Sequence, residues 1–202
     1  MRLFASGLDC VRGGKRVFSN LDFALSGGEA LLVTGPNGAG KSSLLRILAG
    51  LLRPSGGELS LLGADPERAI AEQAHYIGHL DALKSSLSSL ENLRFWARFL
   101  GGKQARPPPE ALEAVGLDRV SELPAGYLSA GQRRRLSLAR LLAVGRPIWL
   151  LDEPGAALDS AGQDFLREAM HGHLAAGGLI LAATHTALGL DTARELRLGD
   201  SH

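Results

Sequence analysis

Gly35-Pro-Asn-Gly-Ala-Gly-Lys-Ser-Ser43 stands between two apolar runs of different character. Before it, Ala30-Leu-Leu-Val-Thr34 is short and almost continuously apolar, the pattern of a strand buried on both faces of a parallel sheet. After it, Lys41 to Leu52 carries Leu44, Leu45, Ile47 and Leu48 at helical spacing and runs out near Gly50, ahead of Pro54. Strand, glycine-rich turn and helix, in that order, are the context that gives G-x-x-x-x-G-K-[ST] its meaning. Glycines let backbone amides converge on an anion, and the helix N-terminus adds its dipole. Gly35, Pro36, Asn37, Gly38, Ala39, Gly40, Lys41 and Ser42 therefore read as a phosphate cradle. In such a cradle the lysine bridges the β- and γ-phosphates and the hydroxyl of Ser42 ligates Mg²⁺. Ser43 reads as helix packing or as a secondary phosphate contact.

Two further apolar runs end in chemistry-bearing residues. Ile148-Trp-Leu-Leu is followed by Asp152 and Glu153, and carboxyl ends of strands are where α/β sheets present ligands. An aspartate there holds Mg²⁺ through water, and a glutamate next to it can act as general base on the attacking water. Leu179 to Thr184 is followed by His185, which either closes a core hydrogen bond or contacts the γ-phosphate.

Around these runs the chain alternates β and α. Arg2–Val11 and Leu21–Leu25 alternate apolar and polar as half-buried strands do; Glu58–Leu62, His75–Gly78 and Glu195–Leu198 are short strands, and Ser160–Ala176 is a helix. From about Ser88 to Val144 the pattern is helical, broken at Pro107-Pro-Pro109. A mainly parallel sheet with an antiparallel N-terminal part and an inserted helical block, about residues 85–145 of a single 202-residue domain, is the expected architecture.

Composition narrows the class. Twenty-two basic and 21 acidic residues nearly cancel, so no general field draws nucleic acid or an anionic surface. Arg133–Arg135 reads as the solvated face of one helix with an internal salt bridge. A single cysteine, Cys10, permits no internal disulfide and fits a reducing compartment. The N-terminus lacks a signal-peptide pattern, and no stretch approaches the ~18 uninterrupted apolar residues of a membrane span. His171 and His173 are two apart, which sends them to different helix faces and disfavours metal ligation. Phe95, Trp96 and Phe99 share a helix face, as core or as a docking surface; no C-x-x-C-H haem-attachment motif occurs.

Leu128-Ser-Ala-Gly-Gln132, followed by Arg-Arg-Arg-Leu-Ser-Leu-Ala-Arg140 and lying 23 residues before Asp152 when counted from Ser129, resembles the LSGGQ signature of ABC ATPases. The resemblance covers essentially the whole chain and implies a P-loop NTPase fold of ABC type. It implies that two copies pair head to tail around two ATP molecules with Mg²⁺. The signature Leu128, Ser129, Ala130, Gly131 and Gln132 would then meet the γ-phosphate on the other copy, through amides and a hydroxyl facing an anion. By the same resemblance Gly155–Asp159 matches the loop joining the two sites and His185 the switch histidine. More narrowly, Tyr76-Ile-Gly-His79 with Lys84, and Leu90-Glu-Asn-Leu93, are similar to the ATPase subunits of cytochrome c maturation systems. That likeness implies membrane-spanning partner subunits, haem handled only indirectly, no nucleic acid, and a peripheral place on the cytoplasmic face of the inner membrane. ABC ATPases that remodel soluble scaffolds are the alternative of similar size; those acting on DNA carry long coiled coils, and those acting in translation carry paired domains.

Departures from the family pattern also stand out. His79 replaces a glutamine that touches Mg²⁺ and the attacking water; it either takes that role or packs within its loop. Arg12 falls where the family offers an aromatic to the adenine; its guanidinium either stacks on the base or is solvated. Ala130 replaces a glycine and Ala156 a common serine.

Overall fold

The structure, a computed structural model, describes residues 1–101 and 105–199 and divides into two compact units. The first comprises Met1–Gly78, Pro147–Pro154 and the chain from Met170 onward. It begins with an antiparallel sheet of β1 (Arg2–Arg12), β2 (Lys15–Ser26) and β4 (Gly56–Leu62), in the order β2-β1-β4. Gly13 and Gly14 both have positive φ, 54° and 75°, which makes a two-residue turn matched to strand twist. β2 starts six residues earlier than the alternation around Leu21 suggests. Register with β1, where Arg12 faces Lys15, carries the strand through polar residues that have no periodic signature.

The second sheet is parallel: β3 (Ala30–Thr34), β5 (Ala74–Ile77), β6 (Ile148–Asp152), β7 (Leu179–Ala183) and β8 (Arg194–Arg197), ordered β5-β6-β7-β3-β8. Every residue of β6 and β7 is buried, which is why both read as unbroken apolar runs. α1 (Lys41–Leu48) packs on β6 and β7. It stops short of Leu52 because Gly50 takes φ 70°, and the amides of Gly50 and Leu51 turn back to the carbonyls of Ile47 and Arg46. Register places Val33 and Asp152 on either side of Ala183, so the carboxyl ends of β3, β7 and β6 lie side by side.

The second unit comprises His79–Arg146 and Gly155–Ala169. Its helices are α2 (Ser89–Leu100), α3 (Pro108–Ala114) and α4 (Ala130–Ala143), and it includes the first part of α5 (Ser160–Ala175). Leu90 and Leu93 of α2, Leu112 of α3 and Leu136 and Ala139 of α4 share one core with Ala125 and Leu128. Residues 102–104, inside the expected helical block, lie outside the described residues. Ser88 caps α2 by accepting from the Glu91 amide while Glu91 accepts from the Ser88 amide, a reciprocal box that sets where the helix starts.

Candidate nucleotide site

In the first unit the phosphate-loop sequence forms a tight crossing from β3 to α1. Gly35, Gly38 and Gly40 take φ of 128°, 86° and 102°, and the residues between them are not left-handed. Such alternation bends successive amides toward one concave face, a ready anion nest. Glycine is required at both ends. A Cβ on Gly35 would overlap the Leu198 carbonyl, and one on Gly40 would fall 2.5 Å from Val17 Cγ1 and 2.9 Å from Phe18 Cδ1. Lys41 is buried and spans the loop, its ammonium donating to the carbonyls of Gly35 at 2.7 Å and Pro36 at 3.1 Å. Ser43 is also buried; its hydroxyl is hydrogen-bonded to the buried Cys10 thiol, whose pKa burial pushes up. This places Ser43 on the packed side of the helix.

Ser42 Oγ donates to Asp152 Oδ1 at 3.1 Å, joining the start of α1 to the end of β6. A hydroxyl and a carboxylate at that separation are an all-oxygen donor pair, which suits Mg²⁺. Among the described residues no three His, Cys, Asp or Glu side chains cluster as a metal cage.

Glu153 adopts φ 47°, a left-handed conformation unusual for a residue with a side chain, and its amide donates to the Ala183 carbonyl at 2.8 Å. Strain of this kind persists only where surrounding structure imposes it. Its Oε1 lies 3.6 Å from His185 Nε2, and His185 is exposed at the end of β7. The preceding Thr184 accepts from the Thr186 amide at 3.0 Å, a local turn that fixes the backbone on either side of His185. Lys41, Ser42, Asp152, Glu153 and His185 are thus brought together at adjacent strand ends. Arg12 is exposed at the end of β1.

The second unit holds the other candidates. Ser129 caps α4 by accepting from the Gln132 amide at 3.2 Å, while its own amide donates to Gln132 Oε1 at 2.9 Å. Ser129 and Ala130 are exposed at that helix start, so its N-terminal amides face outward with their dipole. A Cβ on Gly131 would come 3.0 Å from the Ala157 carbonyl, and Ala157 itself takes φ 62° within the 155–159 loop. Arg135 pairs with Asp159 at the end of that loop. This hydrogen bond, supported by the Gly162 amide, holds the Asp159 carboxyl below the usual carboxylate range. His79 is exposed at the beginning of this unit.

The expectation of a solvated arginine face on α4 is overturned. Arg134 is only 4% exposed and pairs with Asp81 at 3.5 Å; Arg135 reaches 24 residues along the chain rather than within the helix. Arg140, equally buried, donates to Ser137 and lies over the Trp96 ring, 4.5 Å from its centroid. Burial lowers its pKa to about 10, with nearby Asp81 acting in the opposite sense. Trp96 Nε1 in turn donates to the Ala82 carbonyl at 3.0 Å. Sequence reasoning missed Asp81 entirely, because one acid in a short loop carries no local signal of a partner 53 residues away. Phe95 and Phe99 stay on the surface of α2, 38% and 68% exposed. His171 and His173 do diverge, to the carbonyls of Gly189 and Leu179.

A glycine nest opening onto strand-end carboxylates is what a nucleoside-triphosphate hydrolase needs, and the comparisons specify which kind. The ABC transporter family model matches residues 18–156. A solved ATP-binding subunit of an ABC transporter superposes with a TM-score of 0.84 at 26% identity, over 98% of this chain and 86% of that one. A dimeric cassette captured after hydrolysis with ADP and phosphate gives 0.78 at 24% identity, over 98% of this chain and 94% of that one, a likeness of fold. The class is therefore an ABC-type ATPase subunit.

Within that class the likeness is close and runs end to end. The cytochrome c biogenesis ATP-binding export protein CcmA of Nitrobacter winogradskyi is 63% identical over 98% of both chains, and that of Bradyrhizobium diazoefficiens is 60% identical with the same coverage. This chain belongs to the family of cytochrome c biogenesis ATP-binding export proteins. Among its described residues no helix is long and apolar enough to cross a membrane.

Proposed function

We propose that this chain is the ATP-hydrolysing subunit of an exporter serving cytochrome c biogenesis, working as a pair and driving membrane-spanning partner subunits. The carried species is haem or a haem-loaded chaperone, handled by the partners. The single observation that supports this most is the end-to-end likeness to export proteins of that system, with the hydrolytic residues intact.

In this reading the whole chain is one ATP-binding domain, with a helical subdomain of about residues 85–145. The Gly35–Ser42 nest and Lys41 hold the ATP phosphates, and Lys41 exchanges its loop carbonyls for phosphate oxygens. Mg²⁺ would be held by Ser42 and Asp152 and would supply charge neutralisation at the β- and γ-phosphates. Glu153 accepts a proton from the water that attacks the γ-phosphorus, and ADP leaves with the electrons of the broken P–O bond. His185, beside Glu153, orients that water or the γ-phosphate. Ser129 and the α4 amides meet the γ-phosphate of the second copy, and Gly155–Asp159 links the two sites. Arg12 lies against the base, while His79 serves the loop that meets the membrane partner, placing the chain peripherally on the inner membrane's cytoplasmic face.

The test is a pull-down from native membranes with the Glu153→Gln chain and MgATP. Recovery of small membrane subunits together with cytochrome c biogenesis components bears the reading out. Recovery of soluble partners alone leaves the ATPase standing and removes the exporter.

A further inference from the structure

Tyr127 is 79% exposed, yet its backbone is held in a hydrogen-bonded turn. Its neighbours Ala125 and Leu128 are 1% and 3% exposed and anchor the turn on both sides. The amides of Ala125 and Gly126 donate to the carbonyls of Leu87 and Ser85, each at 2.9 Å, and the Tyr127 amide to Pro124 at the same distance. A large ring is thus carried into solvent on a rigid turn, two residues before Ser129, the cap of α4. Nothing about folding asks for an aromatic there.

The first unit has the converse feature. Its exposed large hydrophobic side chains, among the described residues, are Val11, Leu51 and Leu62, none of them a ring. A nucleotide seated on the Gly35–Ser42 nest therefore finds no exposed aromatic in its own unit for its base; the β1 end offers the guanidinium of Arg12. If two copies pair so that the start of α4 meets the terminal phosphate, the remainder of that nucleotide extends from the same helix end. The turn leading into the cap is the part of the second copy within its reach.

We propose that Tyr127 is a base-binding residue acting between copies: its ring stacks on the nucleobase of the ATP held by the other copy. The inference rests on the pairing described under Proposed function. Stacking on an aromatic ring depends on the presence of a base rather than on its hydrogen-bond pattern. The contact accordingly serves ATP and GTP alike and gives no hold on inorganic tripolyphosphate. It also makes pairing report that a whole nucleotide, not merely an anion, occupies the site.

The experiment is sedimentation of the full-length Glu153→Gln chain with Mg²⁺ and saturating ATP, GTP or tripolyphosphate, alone and with Tyr127→Ala or Tyr127→Phe added. At 1–3 kcal/mol per stacked base, Tyr127→Ala is expected to weaken nucleotide-driven pairing about tenfold or more. Tyr127→Phe should pair as its parent does, the melting temperature of the nucleotide-free chain should not move, and single-copy affinity for a fluorescent ATP analogue should be unchanged. Equal pairing by the alanine variant and its parent overturns the proposal while leaving the pair intact, as does pairing driven equally well by tripolyphosphate. A parent chain that stays monomeric with every nucleotide overturns the pairing and this inference with it.

Discussion

The two units solve the problem of polar groups in different ways. The first keeps β7, and β6 as far as Leu151, apolar, and at their carboxyl ends Lys41, Ser42, Asp152, Glu153 and His185 gather around a loop of backbone amides. The second buries charge inside itself: Arg134 and Arg140 lie within the helical block, with Asp81 the carboxylate beside them. Glu153 and His185 keep contact with solvent, so in the first unit the proposed catalysis and stability should be separable at these two positions. In the second they are entangled, because ions taken out of water hold the same elements that carry the signature turn.

The sharpest way to break that contrast is Glu153→Gln. The change removes a proton acceptor and keeps the side-chain volume, so ATP turnover should fall by about 10²–10⁴-fold, the usual range for a general base. The urea midpoint should hardly change. A large loss of stability with turnover preserved would mean that the left-handed backbone at Glu153 serves folding and not chemistry.

Asp81→Asn should do the reverse. Removing the carboxylate beside two buried guanidinium groups is expected to cost about 3 kcal/mol, at the low end for breaking a buried pair because Asp81 keeps some solvent contact. Chemical denaturation with Trp96 emission as the probe measures it, since that indole donates to the neighbouring Ala82 carbonyl. A midpoint within experimental error of the parent would show that solvent already compensates the arginines.

This division also explains what could be read in the sequence. The glycine turn after β3 and the strand-end places of Asp152, Glu153 and His185 were legible because strand-then-turn patterns are local. The centre of the parallel sheet was legible for the same reason: β7 and β6 as far as Leu151 are unbroken apolar runs. The first half of β2 was not, because Lys15 and Arg16 owe their strand to pairing with β1 rather than to their own pattern. The arginines of α4 were misread for a related reason. Three consecutive cations look solvated until the fold supplies Asp81 to one and Asp159 to another. Tyr127 gave no signal at all, since exposure is a property of the folded turn.

Within the first unit, one buried titratable group tests how far the separation holds. His173 lies flat against Trp149, with ring centroids 4.0 Å apart, and its Nε2 is 3.3 Å from the Leu179 carbonyl. Burial lowers its pKa from 6.5 to about 4, against the raising effect of the Leu179 and Pro147 backbone contacts. The folded state therefore binds fewer protons than the unfolded chain between those two values. Stability is fully present above about pH 6.5 and falls as pH drops toward 4, by about 3 kcal/mol in all. Unfolding followed by Trp149 emission should show that decline, and His173→Gln should flatten it. An equally steep decline in the variant would assign the acid sensitivity to the carboxylates instead.

The smallest expected effect compares two helix starts of the same design. Ser88 and Ser129 each accept from an amide three residues on, and each has its own amide accepted by Glu91 or Gln132. Alanine at either should cost about 1 kcal/mol, the usual value of a lost cap. The energetic defect is shared, but the consequences should part. Ser88 is buried at the base of α2, so Ser88→Ala should leave ATP turnover at saturating nucleotide unchanged. Ser129 is exposed at the start of α4, where a terminal phosphate from a second copy would meet hydroxyl and amides together, and Ser129→Ala should reduce turnover severalfold at the same stability. Because both variants are weakened equally as folds, any difference in turnover belongs to what the α4 terminus touches. Equal turnover in the two would make Ser129 a cap and nothing more, and would leave the amides of α4 alone to meet the phosphate.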